Sequence, residues 1–315
     1  MGKIKVVTDS GADVPSELAQ RLDVTVLPCY VIFGAKVYRD GVDLTHQEFY
    51  DKLAKSPILP TTSQPPLGLF VETYQNLLQK SEGIVSIHIA STLSGVFNAA
   101  RVAAEALSTA PIAVVDSQQL SMGTGWQVSM AAQAAQEGHT LTEVVSLVQA
   151  SQPRARAAAM LDSLEHVRRS GRISRVTALM GTALKVKPLL QIVTGEVTPI
   201  ATVRTRGQAL QRLAEFMAAQ GAFKELCVVH ADAAEAAQQV VEELSTVHPR
   251  ERLLICQAGA AVTTHLGLGA VGVCGVLVKE DFPQGGRSES RIYYSGFSVC
   301  DRTGINSSHF GPSLP

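Results

Sequence analysis

The chain reads as a two-domain α/β protein, with a Rossmann-like parallel-sheet first domain and a mixed α/β second domain. Three observations lead there. Short apolar strands alternate with helical patterns up to about residue 150, the pattern of a parallel sheet covered on both faces. The length of 315 residues exceeds what one hydrophobic core commonly serves. Ser151-Gln152-Pro153 then punctuates the chain, and a hairpin pattern follows. The expected division is 1–152, 153–282 and 283–315, the last a weakly ordered tail rich in Gly, Ser and Asn.

In the first domain, Lys5-Val-Val-Thr-Asp opens a strand at 4–8, and Pro15 precedes a helix at 16–21. Apolar runs give strands at 24–27 and 30–33, and helical patterns occupy 45–54 and 67–80. Ile84-Val-Ser-Ile-His-Ile89 is a buried strand, followed by an alanine-rich helix at 94–107 with Ser94 as its expected N-cap. Strand 112–115 and helices 120–136 and 140–150 complete the unit. The second domain starts with strand 155–161 and helix 163–169. Strands 187–193 and 196–203 flank Thr194-Gly195 as a hairpin. Helices 206–219 and 233–245 surround strand 225–230. Leu253 to Val278 holds 26 residues without a formal charge, long enough to cross a bilayer on length alone. Five glycines, Gln257 and His265 interrupt it, so it reads as strand 253–256, helix 258–265 and strand 270–277.

The chemistry sits where strands end. Ser91-Thr-Leu-Ser-Gly95 lies between a strand and a helix. Thr8-Asp9-Ser10 and Val115-Asp116-Ser117 repeat the arrangement, with Ser121-Met-Gly123 after the latter. Parallel neighbours would line Asp9, Ser10, Ser91, Ser94, Asp116, Ser117 and Ser121 along one rim. Ligands of open α/β sheets bind outside the carboxyl ends of the strands. The free N–H groups of a helix start favour an anion there. Pro60-Thr-Thr-Ser-Gln-Pro-Pro66 adds a loop of hydroxyls stiffened by prolines.

Composition excludes several classes. A formal charge of −1 gives no bulk pull toward nucleic acid. Aromatics make 5% against 46% hydrophobic residues, so the core is built from Ala, Val, Leu and Ile. Five cysteines lack C-x-x-C spacing, and four of them, in or beside apolar runs, read as buried thiols of a reducing, cytoplasmic compartment. The apolar stretch after Lys5 is too short for a signal peptide. Gly267-Leu-Gly-Ala-Val-Gly272 is a literal G-x-G-x-x-G, but a helix precedes it and a strand follows, the reverse of the dinucleotide fold. No Walker sequence and no paired His spacing for a metal is present.

The ordered set Val7-Thr-Asp-Ser10 with Asp13 and Pro15, Tyr38-Arg-Asp-Gly41, Phe49-Tyr50, Pro60 to Pro65, Leu93-Ser-Gly95, Val114-Val-Asp-Ser117, Ser170-Gly-Arg-Ile173, Lys187-Pro-Leu189 and His265 with Gly267 and Gly269 resembles the DegV family. The resemblance spans residues 4 to 280. It implies a DegV-like fold that holds one long-chain fatty acid, such as palmitate, between its domains. It implies no catalytic residue and no cofactor besides that ligand. In a related branch such proteins are the acyl-carrying subunit of bacterial fatty acid kinase. Carried over by motif, Thr62 and Ser94 hydrogen-bond the carboxylate and His265 completes the network. Ser63, Gly95 and Ser121 support it, and Arg172 lies on the face that meets the kinase subunit. Three departures occur: Val96 where threonine is frequent, Ser170 where a second glycine is frequent, and Leu266 after the histidine.

Two further readings stay open at this level. Ser94, His265 and Asp9 or Asp116 supply the residue types of a serine acyl hydrolase, although Leu93-Ser-Gly95 lacks the G-x-S-x-G elbow. Between Ser151 and Lys187, eight basic residues (Arg154, Arg156, Arg168, Arg169, Arg172, Arg175, Lys185, Lys187) face two acidic ones, a local +6. That run is either a solvated face or a dock for an acidic partner.

Overall fold

Three sheets organise the described residues. The computed structural model describes residues 4–172, 186–278 and 291–295. In chain order the first half contributes β1 (Ile4–Asp9), α1 (Ser16–Arg21), β2 (Val24–Leu27), β3 (Tyr30–Phe33), β4 (Lys36–Arg39) and α2 (His46–Lys55). Next come β5 (Thr61–Ser63), α3 (Leu67–Leu78), β6 (Gly83–His88), α4 (Val96–Ala106), β7 (Ile112–Asp116), α5 (Met122–Gln136) and α6 (Leu141–Ser151). The second half adds β8 (Ala155–Met160), α7 (Glu165–Arg169), β9 (Lys187–Val193), β10 (Glu196–Val203), α8 (Arg206–Ala218) and β11 (Phe223–His230). It ends with α9 (Ala234–Leu244), β12 (Leu253–Gln257), α10 (Ala260–Leu266), β13 (Val271–Leu277) and β14 (Ile292–Ser295).

The first sheet has the order β14-β7-β6-β1-β2, with β7, β6, β1 and β2 parallel. Alternate residues of each strand serve opposite faces. Val6, Val85 and Val115 pack on α5 and α6, while Val7, Ile84 and Val114 pack on Phe70, Tyr74 and the alanines of α4. Both faces are therefore covered, as parallel strands require. The second sheet, β10-β9-β8-β13-β11-β12, is mixed. Its outer face packs on α8 and α9 through Leu213, Met217, Val240 and Leu244. α5 lies between the two sheets: Val128 and Ala132 join the first core, and Met122 and Trp126 join the second. The indole N–H of Trp126 donates to the Cys274 carbonyl of β13 at 3.2 Å.

Four expectations need correction. Strand 30–33 does not join the parallel sheet. It is the centre of a separate antiparallel sheet, β4-β3-β5, and Thr61–Ser63 is a strand where a loop was expected. Short strands with mostly exposed side chains carry no hydrophobic alternation to reveal them. The N-cap of α4 is Gly95, one residue after Ser94. Within the expected weakly ordered tail, Ile292–Ser295 forms an edge strand antiparallel to β7, and Arg291 reaches the Ser91 hydroxyl at 2.9 Å.

Candidate functional site

The parallel register sets the ends of β1, β6 and β7 side by side. Most of the polar rim there is spent on structure. Asp9 accepts from His88 Nδ1 at 2.8 Å and from the Gly11 and Ile89 amides. Asp116 accepts from the Ser91 and Gln118 amides. The Ser117 hydroxyl pairs with Thr124 at 2.8 Å. Ser10 donates to Asp40 at 2.9 Å and accepts from the Cys29 amide. These are closed hydrogen-bond circuits, and of the seven rim residues Ser94 and Ser121 are the two that line a cavity.

That space is a cavity of about 420 Å³ between the first and second sheets, within the usual range of ligand pockets. Thr62, Ser63, Ser94, Gly95, Ser121, Arg172 and His265 all line it. β5 presents Thr62 from an edge position opposite Val31, at the end of the small antiparallel sheet. The Ser94 hydroxyl, half-buried, accepts the Val96 amide at 3.3 Å and keeps its own proton. Gly95 is overlain by the Gln64 side chain, whose Oε1 a Cβ would strike. Ser121, at φ 53°, caps the start of α5 and lies 2.5 Å from Asp13.

His265 closes the polar end. Its Nε2 is 2.8 Å from Thr62 Oγ1, and its buried Nδ1 has no partner among the described residues. Burial, then the charges of Arg172 and His166, pull its pKa down to about 4, so the ring is neutral at pH 7. A proton on Nδ1 would be an unmet buried donor, which favours the tautomer with the proton on Nε2. Nε2 then donates to Thr62, and the Thr62 hydroxyl proton is left pointing to the cavity. Arg172 stands at the mouth after Gly171 and is exposed. Its Nη1 donates to the Ser170 carbonyl at 2.6 Å and its Nε to the Leu93 carbonyl at 3.4 Å. It thus belongs to the cavity rim as well as to the surface.

Most of the remaining lining is apolar, and the floor is built of small side chains. Ala157 and Ala159 of β8, Gly272 and Cys274 of β13, and Val229 of β11 share one face of the second sheet, with Leu190 and Ile192 of β9 beside them. Side chains this short on a sheet that elsewhere carries Val and Leu leave a trough above the strands. Sequence reasoning missed this floor, together with Gln64, Leu93 and His230. The unbroken Ala157-Ala-Ala159 inside a strand was the available signal. The hairpin turn of β9 and β10 leans on the rim, where the Thr92 hydroxyl donates to the Gly195 carbonyl. Gly195 is at φ 81°, with Thr92 only 3.1 Å from where a Cβ would stand, so glycine is required there.

Of the residue types a hydrolase would use, His265 hydrogen-bonds Thr62, Asp9 hydrogen-bonds His88, and Asp116 hydrogen-bonds the Ser91 amide. The basic run is partly neutralised, with Arg169 on Glu165 and Lys187 on Asp162. Arg175 and Lys185 lie outside the described residues. Among the described residues no cluster of metal-ligating side chains occurs, and no helix is long and apolar enough to cross a membrane.

A family model described as "Uncharacterised protein, DegV family" matches residues 3–277. The chain belongs to the DegV family. It is 34% identical over 275 residues to Protein DegV of Bacillus subtilis, covering 86% of this chain and 98% of that one. Among solved structures it resembles DegV of Bacillus subtilis, described as a fatty acid binding protein, with a TM-score of 0.80 at 32% identity. That match covers 88% of this chain and all of the other. A DegV family protein from Thermus thermophilus, described by its fatty acid binding, matches with a TM-score of 0.81 at 30% identity over 88% of this chain and 100% of that one.

Proposed function

We propose that this DegV family member binds one long-chain fatty acid, such as palmitate, in the cavity between its two main sheets. The carrying observation is the shape of the chemistry: an apolar trough of small residues that ends in three neutral hydrogen-bonding groups, Thr62, Ser94 and His265. The solved relatives described as fatty acid binding support the ligand class. A sixteen-carbon chain buries about fourteen methylenes, on the order of 11 kcal/mol gross at roughly 0.8 kcal/mol each. Association and ordering offset roughly 4–15 kcal/mol of that. The tail therefore drives affinity. The hydroxyls of Thr62 and Ser94 donate to the carboxylate and keep it from being buried unpaired. Ser63, Gly95 and Ser121 shape the surrounding wall.

Neutral donors leave the carboxyl group free for a partner to modify. The protein then acts as a non-catalytic carrier in lipid metabolism or transport, presenting its acid to a fatty acid kinase subunit that docks over Arg172. Native mass spectrometry of purified protein tests the ligand. A retained mass of a C16–C18 acid is expected, and Thr62→Ala with Ser94→Ala should lose it while keeping the fold. Unchanged acyl occupancy in the double variant would place the carboxylate elsewhere. Covalent labelling of Ser94 by a serine-directed phosphonylating probe would instead support the acyl hydrolase.

A further inference from the structure

The helix that carries His265 is held from the other half of the chain. α10 is seven residues long, and its N-cap, Gly259, has no side chain with which to cap it. The first amides of a helix need partners. Here Gly259 N donates to Asp13 Oδ1 at 2.8 Å, Ala260 N to Asp40 Oδ1 at 2.9 Å and Ala261 N to Asp40 Oδ2 at 3.0 Å. Asp13 follows β1 and Asp40 follows β4, so both carboxyl groups come from the first half. They are 7% and 5% exposed. Each is fixed in turn: Ser10 donates to Asp40, and Ser121 lies against Asp13. A Cβ on Gly259 would stand 3.1 Å from an oxygen of each, so the clamp tolerates no larger cap residue without moving. The Tyr50 hydroxyl adds a bond to the Ala258 carbonyl at 2.6 Å.

The far end of α10 is the polar end of the cavity. Ala261, Val262, His265 and Leu266 form part of the wall. At 1.5 Å rise per residue, His265 lies about 7.5 Å along the axis from Ala260. A tilt of about 15° at the clamp would displace its ring by about 2 Å, beyond hydrogen-bond range of Thr62.

We propose that Asp13 and Asp40 are positioning residues for the carboxylate end of the cavity: they seat α10 so that His265 meets Thr62. Neither touches the acid. They tie the closure of the two halves to the geometry of the head-group site, so the site exists only when the halves are docked. The ligand in this scheme rests on the fatty-acid reading, but the geometry does not.

The test compares the full chain with Asp40→Asn. The amide keeps one acceptor but turns an NH2 toward the second helix amide. Two readouts are taken: the His265 ring resonances by NMR, assigned with His265→Gln, and palmitate affinity by calorimetry. The His265 titration should rise from about 4 toward the ordinary histidine value as the ring loses its buried seat. Palmitate affinity should fall about tenfold, the equivalent of one lost charged hydrogen bond. A folded Asp40→Asn protein with a lower melting temperature but an unmoved His265 titration overturns the proposal, leaving Asp40 a purely structural cap. If Asp40→Asn does not fold, Ser10→Ala loosens the same carboxylate more gently. It should shift the His265 signal in the same direction, and an unchanged signal again overturns the proposal. If the wild type binds no palmitate but its His265 signal responds to Asp40→Asn, the clamp stands and the fatty-acid reading fails.

Discussion

Replacing Thr62 by valine removes one hydroxyl and keeps the volume and the branched Cβ. In the wild type that hydroxyl satisfies His265 Nε2 at 2.8 Å, the only bond the buried ring makes among the described residues. Thr62→Val therefore leaves a neutral imidazole with both nitrogens unpaired. The cost to the ligand-free protein is about 1–3 kcal/mol, the price of one unmet buried polar group. A bound carboxylate loses a charged hydrogen bond in addition, worth about 1.5–3 kcal/mol. That corresponds to a loss of affinity of roughly 10- to 150-fold. Valine adds no clash, because Thr62 sits on an edge strand with partial exposure. Urea titration of the ligand-free protein and calorimetry with palmitate measure the two terms separately. Palmitate affinity within twofold of wild type, in a variant that has lost the expected stability, would refute the assignment of Thr62 to the carboxylate.

Two further outcomes are expected. Affinity across saturated acids from C10 to C20 should rise about fourfold per methylene, at roughly 0.8 kcal/mol each, until the trough is full; equal affinity along the series would mean the tail is not enclosed. His265 is depressed to about 4 against 6.5, so between these values the unfolded chain binds the extra proton and stability falls as pH drops from about 6.5 to 4. Asp13, raised by burial to about 8, works in the opposite sense: its contribution is complete below about 4 and is lost as pH rises toward 8. His265→Gln should therefore flatten the acid side of a urea-midpoint profile and leave the alkaline side in place, and an unchanged acid slope would contradict the buried, neutral ring.

The sequence carried the frame of this molecule further than its details. The parallel strands ending at Asp9, His88 and Asp116, the Thr194-Gly195 hairpin and the strand-helix-strand of 253–277 were all readable, because their periodicity is strong and their turns are punctuated by glycine. The small antiparallel sheet was not, since Lys36–Arg39 and Thr61–Ser63 are too short and too polar to show a period. The strand at 155–161 was readable, but only its neighbours in the sheet make its alanines a trough. Hydroxyl-bearing residues were readable as a group, but not which of them would be consumed internally. Ser10, Ser91 and Ser117 look identical in sequence to Ser94, and the difference lies in partners such as Asp40, Arg291 and Thr124, of which Arg291 is two hundred residues away. The pairing of Asp13 and Asp40 with α10 spans more than two hundred residues and leaves no local mark.

The placement of Trp126 has an optical consequence. It is the single tryptophan of the chain, it is 8% exposed, and it bridges α5 to the carbonyl of Cys274, whose side chain lines the cavity. All indole emission from this protein therefore originates at the seam between the sheets, beside the alanine floor. Replacing water above that floor by an acyl chain changes the polarity around one fluorophore and no other. The molecule carries its own spectroscopic gauge of whether the trough is filled, with no label attached.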